Sequence, residues 1–356
     1  MAGTKKRNKN HKSLIAENRF KKTSISSLRN KSSQKKKSKS ASNSSSSSSS
    51  NFLIKFFKKI THFFLRIIWG LTWRTSLIVF LGITSAVSYY YFNMKEFSSF
   101  LDERARGSVT LEDYKGEVFA WRGDNFSKNL TAKNISPHLK NAILATEDRG
   151  FYSHVGISPR GIGSAVFINL REGRGPLSGH GGSTITQQTA KLVCLGKPFS
   201  QADWNSEKDY EDSCRTSTIW RKIKEALYAL SLEFKFSKDE ILTIYINRVF
   251  LGAGTRGFEA AAQRYFGKSA KIVNPSEAAM LAGLLKAPTR YAPTNNLKRS
   301  QERANLIIGL MENQNFLSKA EAKFARENPA TLSKFAQAKA GGYFADWVMA
   351  SLPDYL

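Results

Sequence analysis

Ser136-Pro137-His138-Leu139-Lys140-Asn141-Ala142-Ile143-Leu144-Ala145-Thr146-Glu147-Asp148 opens like a helix and closes on two carboxylates. Serine at the N-cap and proline at the first helical position are a start signal, because that N–H has no intrahelical partner to lose. Ser158-Pro159 repeats the signal, and Asn274-Pro275 opens a further helix. Ser237-Lys238-Asp239-Glu240 and Ser318-Lys319-Ala320-Glu321 are capping boxes. Gly267 is placed to end a helix in the left-handed conformation. Only residues 108–122 alternate as strands do, with Lys115-Gly116 as the turn of a short hairpin. No repeat of solenoid period is present. The main domain is therefore expected to be mostly α with a small β element.

Upstream of it the chemistry changes. The chain has 356 residues and a formal charge of +27. Residues 1–74 hold 19 Lys and Arg against one acidic residue, Glu17, a net +18, and the other 282 residues carry +9. Residues 1–51 are rich in Lys, Ser and Asn and end in the Ser44–Ser50 run, too polar to repay the entropy of ordering, and are expected to be disordered. Residues 52–74 form a basic amphipathic juxtamembrane segment suited to anionic phospholipid. Thr75 to Phe92 is an uncharged run of 18 residues with Trp73 on one side and Tyr89, Tyr90 and Tyr91 on the other, so residues 75–93 read as one transmembrane helix. The excess of cations before it places the N-terminus in the cytoplasm and residues 95–356 outside. Residues 94–125 read as linker and β element, 126–315 as the main domain, and 316–356 as a C-terminal helix and the start of a linker.

Three clusters carry candidate chemistry. Glu147 and Asp148 end a helix, where the negative end of the dipole raises a carboxyl pKa toward the range of a general base. Taken alone, such a pair is more often a solvated terminus, and His154 more often a structural hydrogen-bonding residue. Gly181-Gly182-Ser183-Thr184-Ile185-Thr186-Gln187-Gln188 offers close backbone approach and neutral donors at a helix start, fit for a sugar or phosphate; a bland polar loop has the same composition. Lys191 follows Gln188 by one helical turn. Arg221 and Glu225 share a helical face, as an ordinary surface ion pair also would. Two cysteines make neither a disulfide framework nor a four-ligand zinc site.

In wording and order these clusters resemble the family 51 peptidoglycan glycosyltransferases, monofunctional or joined to class A penicillin-binding proteins. The matching residues are Glu147-Asp148 with Phe151, His154 and Gly156; Gly182-Ser183-Thr184 with Thr186, Gln187, Gln188 and Lys191; and Arg221-Lys222 with Glu225. Lys238–Asn247 with Gly252 and Gly257, and Glu277–Pro293, resemble the family too, so the likeness runs over about residues 108–312. It implies a mostly α, lysozyme-like domain that joins lipid II to a growing glycan strand in bacterial cell-wall synthesis. Glu147 would be the base, supported by Asp148. Lys191, Arg221 and Lys224 would meet the leaving undecaprenyl pyrophosphate, and Glu225 would orient them or a divalent cation, Mg2+ or Mn2+, none being required by the sequence. Phe151, His154, Gly182, Ser183, Thr184, Thr186, Gln187, Gln188, Lys222 and Asn247 complete the expected substrate site. Residues 157–176, with Phe167, Ile168 and Leu170, would dip into the bilayer. Other cell-wall proteins are expected partners beside lipid II, the strand and inner-membrane phospholipid.

The chain departs from the pattern in places. The arginine expected shortly before motif three is Arg215, two residues further upstream than the common spacing, with Ser217 at the usual place. Leu195–Ser213 is longer and more acidic than the family pattern and is bracketed by Cys194 and Cys214, which an oxidising compartment would bridge; two buried free thiols are the other reading. No Lys-Thr-Gly occurs, and no Ser-x-x-Lys after residue 94, so transpeptidase residues are absent from this chain; a monofunctional protein and part of a bifunctional one both fit. A lytic enzyme would need no cation cluster, an inactive scaffold would not need Glu147 and Glu225, and nucleic acid is not expected, because the basic tail precedes a membrane span.

Overall fold

The structure is a computed structural model that describes residues 48–102, 109–112, 114–115, 118–122, 130–176, 179, 181–197, 199–200, 202–204, 207–216, 218–337, 347–348 and 351. The expected disordered tail up to residue 47, Gly116 of the turn, Ser217, and residues 341–346 of the linker lie outside them.

Helix α1 spans Ser48–Asn93 and merges the juxtamembrane segment with the apolar run. Its first four residues, Ser48–Asn51, correct the expected tail boundary. A nucleated helix propagates at the cost of one residue at a time, so the apolar run extends backward into serines. Within it Ile54–Asn93 is long and apolar enough to cross a membrane. α2 (Phe97–Asp102) follows, then the expected hairpin, β1 (Val109–Glu112) antiparallel to β2 (Val118–Arg122) with a register shift between Leu111 and Glu112.

The rest is helical. α3 (Pro137–Glu147), α4 (Pro159–Arg171), α5 (Ile185–Leu192), α6 (Glu207–Arg215), α7 (Ile219–Lys235) and α8 (Lys238–Arg248) carry the candidate residues. α9 (Phe258–Phe266), α10 (Pro275–Leu284), α11 (Pro288–Tyr291), α12 (Leu297–Asn313), α13 (Lys319–Glu327) and α14 (Lys334–Gln337) complete the domain. The capping boxes of α8 and α13 are closed, and Gly267 ends α9 at φ +67°. Two further boxes, Thr184 with Gln187 and Asn274 with Glu277, start α5 and α10. Ser136 starts α3 without capping it: its hydroxyl donates to Val273 O at 2.8 Å, joining two helix starts.

α10 explains the centre of the domain. Every residue from Ser276 to Leu284 is buried, as expected of a helix apolar on all sides. α3, α12, α13 and α9 pack around it, while α5 packs on α7 and α8. The end of α1 rests on α7: Tyr90 meets Tyr228 edge-on at 5.3 Å, Ser231 Oγ donates to Val87 O at 3.0 Å, and Lys235 Nζ donates to Met94 O.

Cys194 and Cys214 form a disulfide with Cα atoms 5.3 Å apart. It closes the long acidic segment, whose interior has its own aromatic packing of Phe199 and Trp204 on Tyr210, at 5.6 and 5.9 Å. The bridge spans 20 residues, and a closed loop of that length limits the unfolded chain by about 3 kcal/mol in the chain-entropy account. Replacing both cysteines with serine is expected to lower the melting temperature of the full chain in detergent, and reductant should bring the wild type down to the variant's value. A wild type unmoved by reductant would deny the bridge that role.

Candidate active site

The end of α3 is joined to the start of α5 by two neighbouring carboxylates. Asp148, the residue after the helix, accepts from His154 Nε2 at 2.9 Å and from the Ile185 backbone N–H at 3.1 Å. It thereby satisfies an N–H at the first helical position of α5, which no residue of that helix can reach. Glu147 accepts from Gln188 Nε2 at 2.7 Å, and Tyr245 OH donates to Gln188 Oε1 at 3.3 Å. Burial pushes the Glu147 carboxyl above the ordinary range, helped by the charge of Asp148; the Gln188 hydrogen bond and the charges of Arg303 and Lys191 pull the other way. The expected direction is therefore found, with loss of water contact as its chief cause.

Gly182 lets the loop before α5 lie against the start of α4. A Cβ there would stand 2.7 Å from the backbone N and Cα of Ile162, closer than real atoms come. Thr184 and Gln187 are consumed by the capping box, and Thr184 Oγ1 also donates to Gly156 O at 2.5 Å. Thr186, fully buried, donates to Glu233 Oε1 at 2.5 Å. These three hydroxyl and amide groups hold the loop. Ser183, Gln188 and Lys191 remain on its accessible side, each only partly buried.

Glu225 is 1% exposed. Arg221 Nη1 pairs with one of its oxygens and Lys222 Nζ with the other at 2.6 Å. Lys222 Nζ also donates to Ser183 Oγ at 2.8 Å, tying motif three to motif two. The pair is thus no ordinary surface bridge: its acid is buried, and breaking it would strand a charge. Lys191 completes the group. Burial lowers its pKa, Glu225 opposes that, and Lys222, Arg221 and Arg215 lower it further. Several cations thus gather about Glu225. Arg215 belongs to the cluster despite its spacing, because the disulfide turns α6 back so that Lys191, Cys194, Cys214, Arg215, Arg248 and Arg256 line one small pocket. Lys224 holds its ammonium 5.9 Å from the Trp220 ring and lines a cavity together with Arg221.

Phe151 is fully buried beneath Lys238, whose ammonium lies 4.6 Å from the ring centre. Asn247 binds the backbone of Leu130 through both its Oδ1, at 3.1 Å, and its Nδ2, at 2.7 Å. Sequence reading missed Arg303, Tyr245 and Glu233 as site residues. Tyr245 stood inside a quoted motif with an apolar neighbour on each side, and Arg303 lies on α12, too far along the chain for any local signal. Both oxygens of Glu225 are engaged by cations of the chain, and no group of three His, Cys, Asp or Glu suited to a metal occurs among the described residues. On α4, Phe167 and Leu170 are 65% and 57% exposed.

The family model described as Transglycosylase matches residues 115–312, more than half of the chain. Penicillin-binding protein 1A of Aquifex aeolicus is 38% identical over 236 residues, 66% of this chain and 30% of that protein. Penicillin-binding protein 1A of Haemophilus influenzae is 40% identical over 218 residues, 61% of this chain and 23% of that protein. Penicillin-binding protein 1B of Vibrio cholerae is 37% identical over 203 residues, 56% and 23% of the two chains. This chain spans less than a third of the length of each of these relatives. By the extent of the family match and the order of its motifs, the chain belongs to the transglycosylase family, the family 51 glycosyltransferases that its sequence resembles.

Proposed function

We propose that this chain is a peptidoglycan glycosyltransferase that polymerises lipid II at a membrane surface. The observation that carries the proposal is the accessible side of α5. Gln188 holds the Glu147 carboxylate, and one turn later Lys191 enters a cluster with Arg215, Arg221 and Lys222. A base and an anion site joined by one helical turn suit a displacement with a charged leaving group.

In this mechanism Glu147 takes the proton from the 4-hydroxyl of the acceptor sugar. The oxygen attacks C1 of the donor sugar from the face opposite the pyrophosphate, the C1–O bond to phosphate breaks, and the anomeric centre inverts. The leaving undecaprenyl pyrophosphate gains charge as the bond breaks. Lys191, Arg221 and Lys222 are already in place to meet it, so little reorganisation is needed at that moment. Asp148 acts through His154 and α5, as a positioning residue. A lytic enzyme, which cleaves between sugars, would have no use for the cluster. The protein is read as single-pass in a bacterial inner membrane, with the N-terminus cytoplasmic; the N-terminal charge of +18 and the Cys194–Cys214 bridge support that orientation.

A labelled lipid II polymerisation assay on the full chain tests the reading. Glu147→Gln is expected to lower the rate by about two to four orders of magnitude while lipid II still binds. A loss under about threefold would remove Glu147 from this role, given the usual size of such effects. Because a base works deprotonated and burial raises this carboxyl, activity should fall as pH drops through a value above 4.5. Arg303 lowers that pKa, so Arg303→Gln should move the acidic limb to higher pH, and an unmoved limb would count against Glu147 as the titrating group.

Asp148→Asn leaves one of two donors poorly served. It should cost about 1–3 kcal/mol of stability and reduce kcat more than it raises KM, measured by denaturation and steady-state kinetics. A variant of wild-type stability and kcat would show that the tether is dispensable. For topology, a reporter fused after Leu356 should be active only if its reaction works in the periplasm; activity of a cytoplasm-only reporter there would reverse the orientation.

A further inference from the structure

Tyr245 lies in the middle of α8, between Ile244 and Ile246, and no solvent reaches any of the three. It therefore cannot touch a sugar or a phosphate. A phenol in so apolar a place needs an acceptor, because a buried hydroxyl without one is costly. The acceptor is Gln188 Oε1 at 3.3 Å. Burial, and after it the charge of Glu147, keeps the phenol protonated and able to donate. The other end of the same amide, Nε2, donates to Glu147 Oε2 at 2.7 Å. An amide has a donor end and an acceptor end, and only one orientation serves both neighbours. Turned over, it would set Oε1 against the carboxylate and leave the phenol hydrogen without an acceptor.

We propose that Tyr245 is a positioning residue: it locks the Gln188 amide with its donor end toward Glu147 Oε2, and so leaves Oε1 as the oxygen that takes the acceptor's proton. The proposal rests on the reading of Glu147 as the base and extends it inward, to a residue that substrate never meets. A fixed donor favours the carboxylate over the carboxylic acid, since the acid's own hydrogen would need an acceptor where an N–H already points. The acid then forms at Oε1. The O–H bond of the sugar breaks, an O–H bond forms at Oε1, and the electron pair left on the sugar oxygen makes the new bond to C1. Without Tyr245 the amide is free to turn over when Glu147 gains a proton and to accept from it, which favours the acid. Other groups act on the same carboxyl. Burial pushes it up and Asp148 adds to that, while Arg303 from α12 and Lys191 from α5 pull it down. Glu277, the one charged residue of α10, is paired with Lys268 at 2.8 Å. These groups act by burial or charge; the direction of the amide is set by Tyr245.

Rates of labelled lipid II polymerisation by the full chain in detergent, followed against pH, test the lock. Tyr245→Phe keeps the ring and removes the donor. Its acidic limb of kcat/KM is expected about one pH unit above that of the wild type, so that the rate falls about tenfold below the limb and stays within about threefold on the plateau. Tyr265→Phe removes another buried phenol, which donates to Leu251 O at 2.9 Å, and should leave the limb in place. In a Gln188→Leu background the Tyr245 change should add nothing, because the two residues act as one unit. The proposal fails if the limb of Tyr245→Phe coincides with that of the wild type, if Tyr265→Phe moves it as far, or if the shift persists without Gln188. Should Tyr245→Phe not fold, Gln188→Leu alone decides: an unmoved limb denies the lock. A wild type that does not polymerise, or a Glu147→Gln variant as active as the wild type, sinks the base reading and the lock with it. An inactive Glu147→Gln beside an unmoved limb in Tyr245→Phe sinks the lock alone.

Discussion

The carboxylate of Asp148 joins two parts of the chain that lie far apart in sequence. It accepts from His154 in the turn after α3 and from the first N–H of α5, 37 residues away. With both donors in place the end of α3 cannot unwind without leaving a buried anion unpaired, which is among the costlier defects a fold can carry. Glu147, one residue earlier, is then fixed against Gln188 of the same helix. α5 is in turn fixed by its own capping box, by Gly182 lying on α4, and by Lys222 reaching Ser183 from α7. Three motifs spread over some eighty residues are thereby one rigid arrangement. The apolar helix α10 supplies the packing behind it; the polar contacts decide where each functional group points.

That division explains what could be read from the sequence. Helix starts are local events, governed by one residue and its neighbour three positions on, so Ser158, Ser237, Ser318 and Asn274 were legible as letters. Ser136 was legible as a boundary and misleading as a cap, because its hydroxyl is taken by Val273, a partner no local rule can find. The box of Thr184 and Gln187 was written in the sequence but hidden by its likeness to a ligand-binding loop; both readings use the same hydroxyl and amide, and only burial separates them. Glu225 shows the reverse. Its spacing from Arg221 suggested a solvent-facing pair worth little, whereas packing of α7 on α5 takes the acid out of water and makes its pairing obligatory.

Charge around the site is left unbalanced in a way a stable fold would ordinarily avoid. Lys191 gives up hydration and is drawn to Glu225, while Lys222, Arg221 and Arg215 repel it. An anion entering the cluster would relieve that repulsion. Such an anion also binds the folded chain and not the unfolded one, and by mass action stabilises it. The same logic favours a leaving group over a substrate: the cluster gains most when negative charge is greatest, which in a displacement is after the bond to the sugar has begun to break.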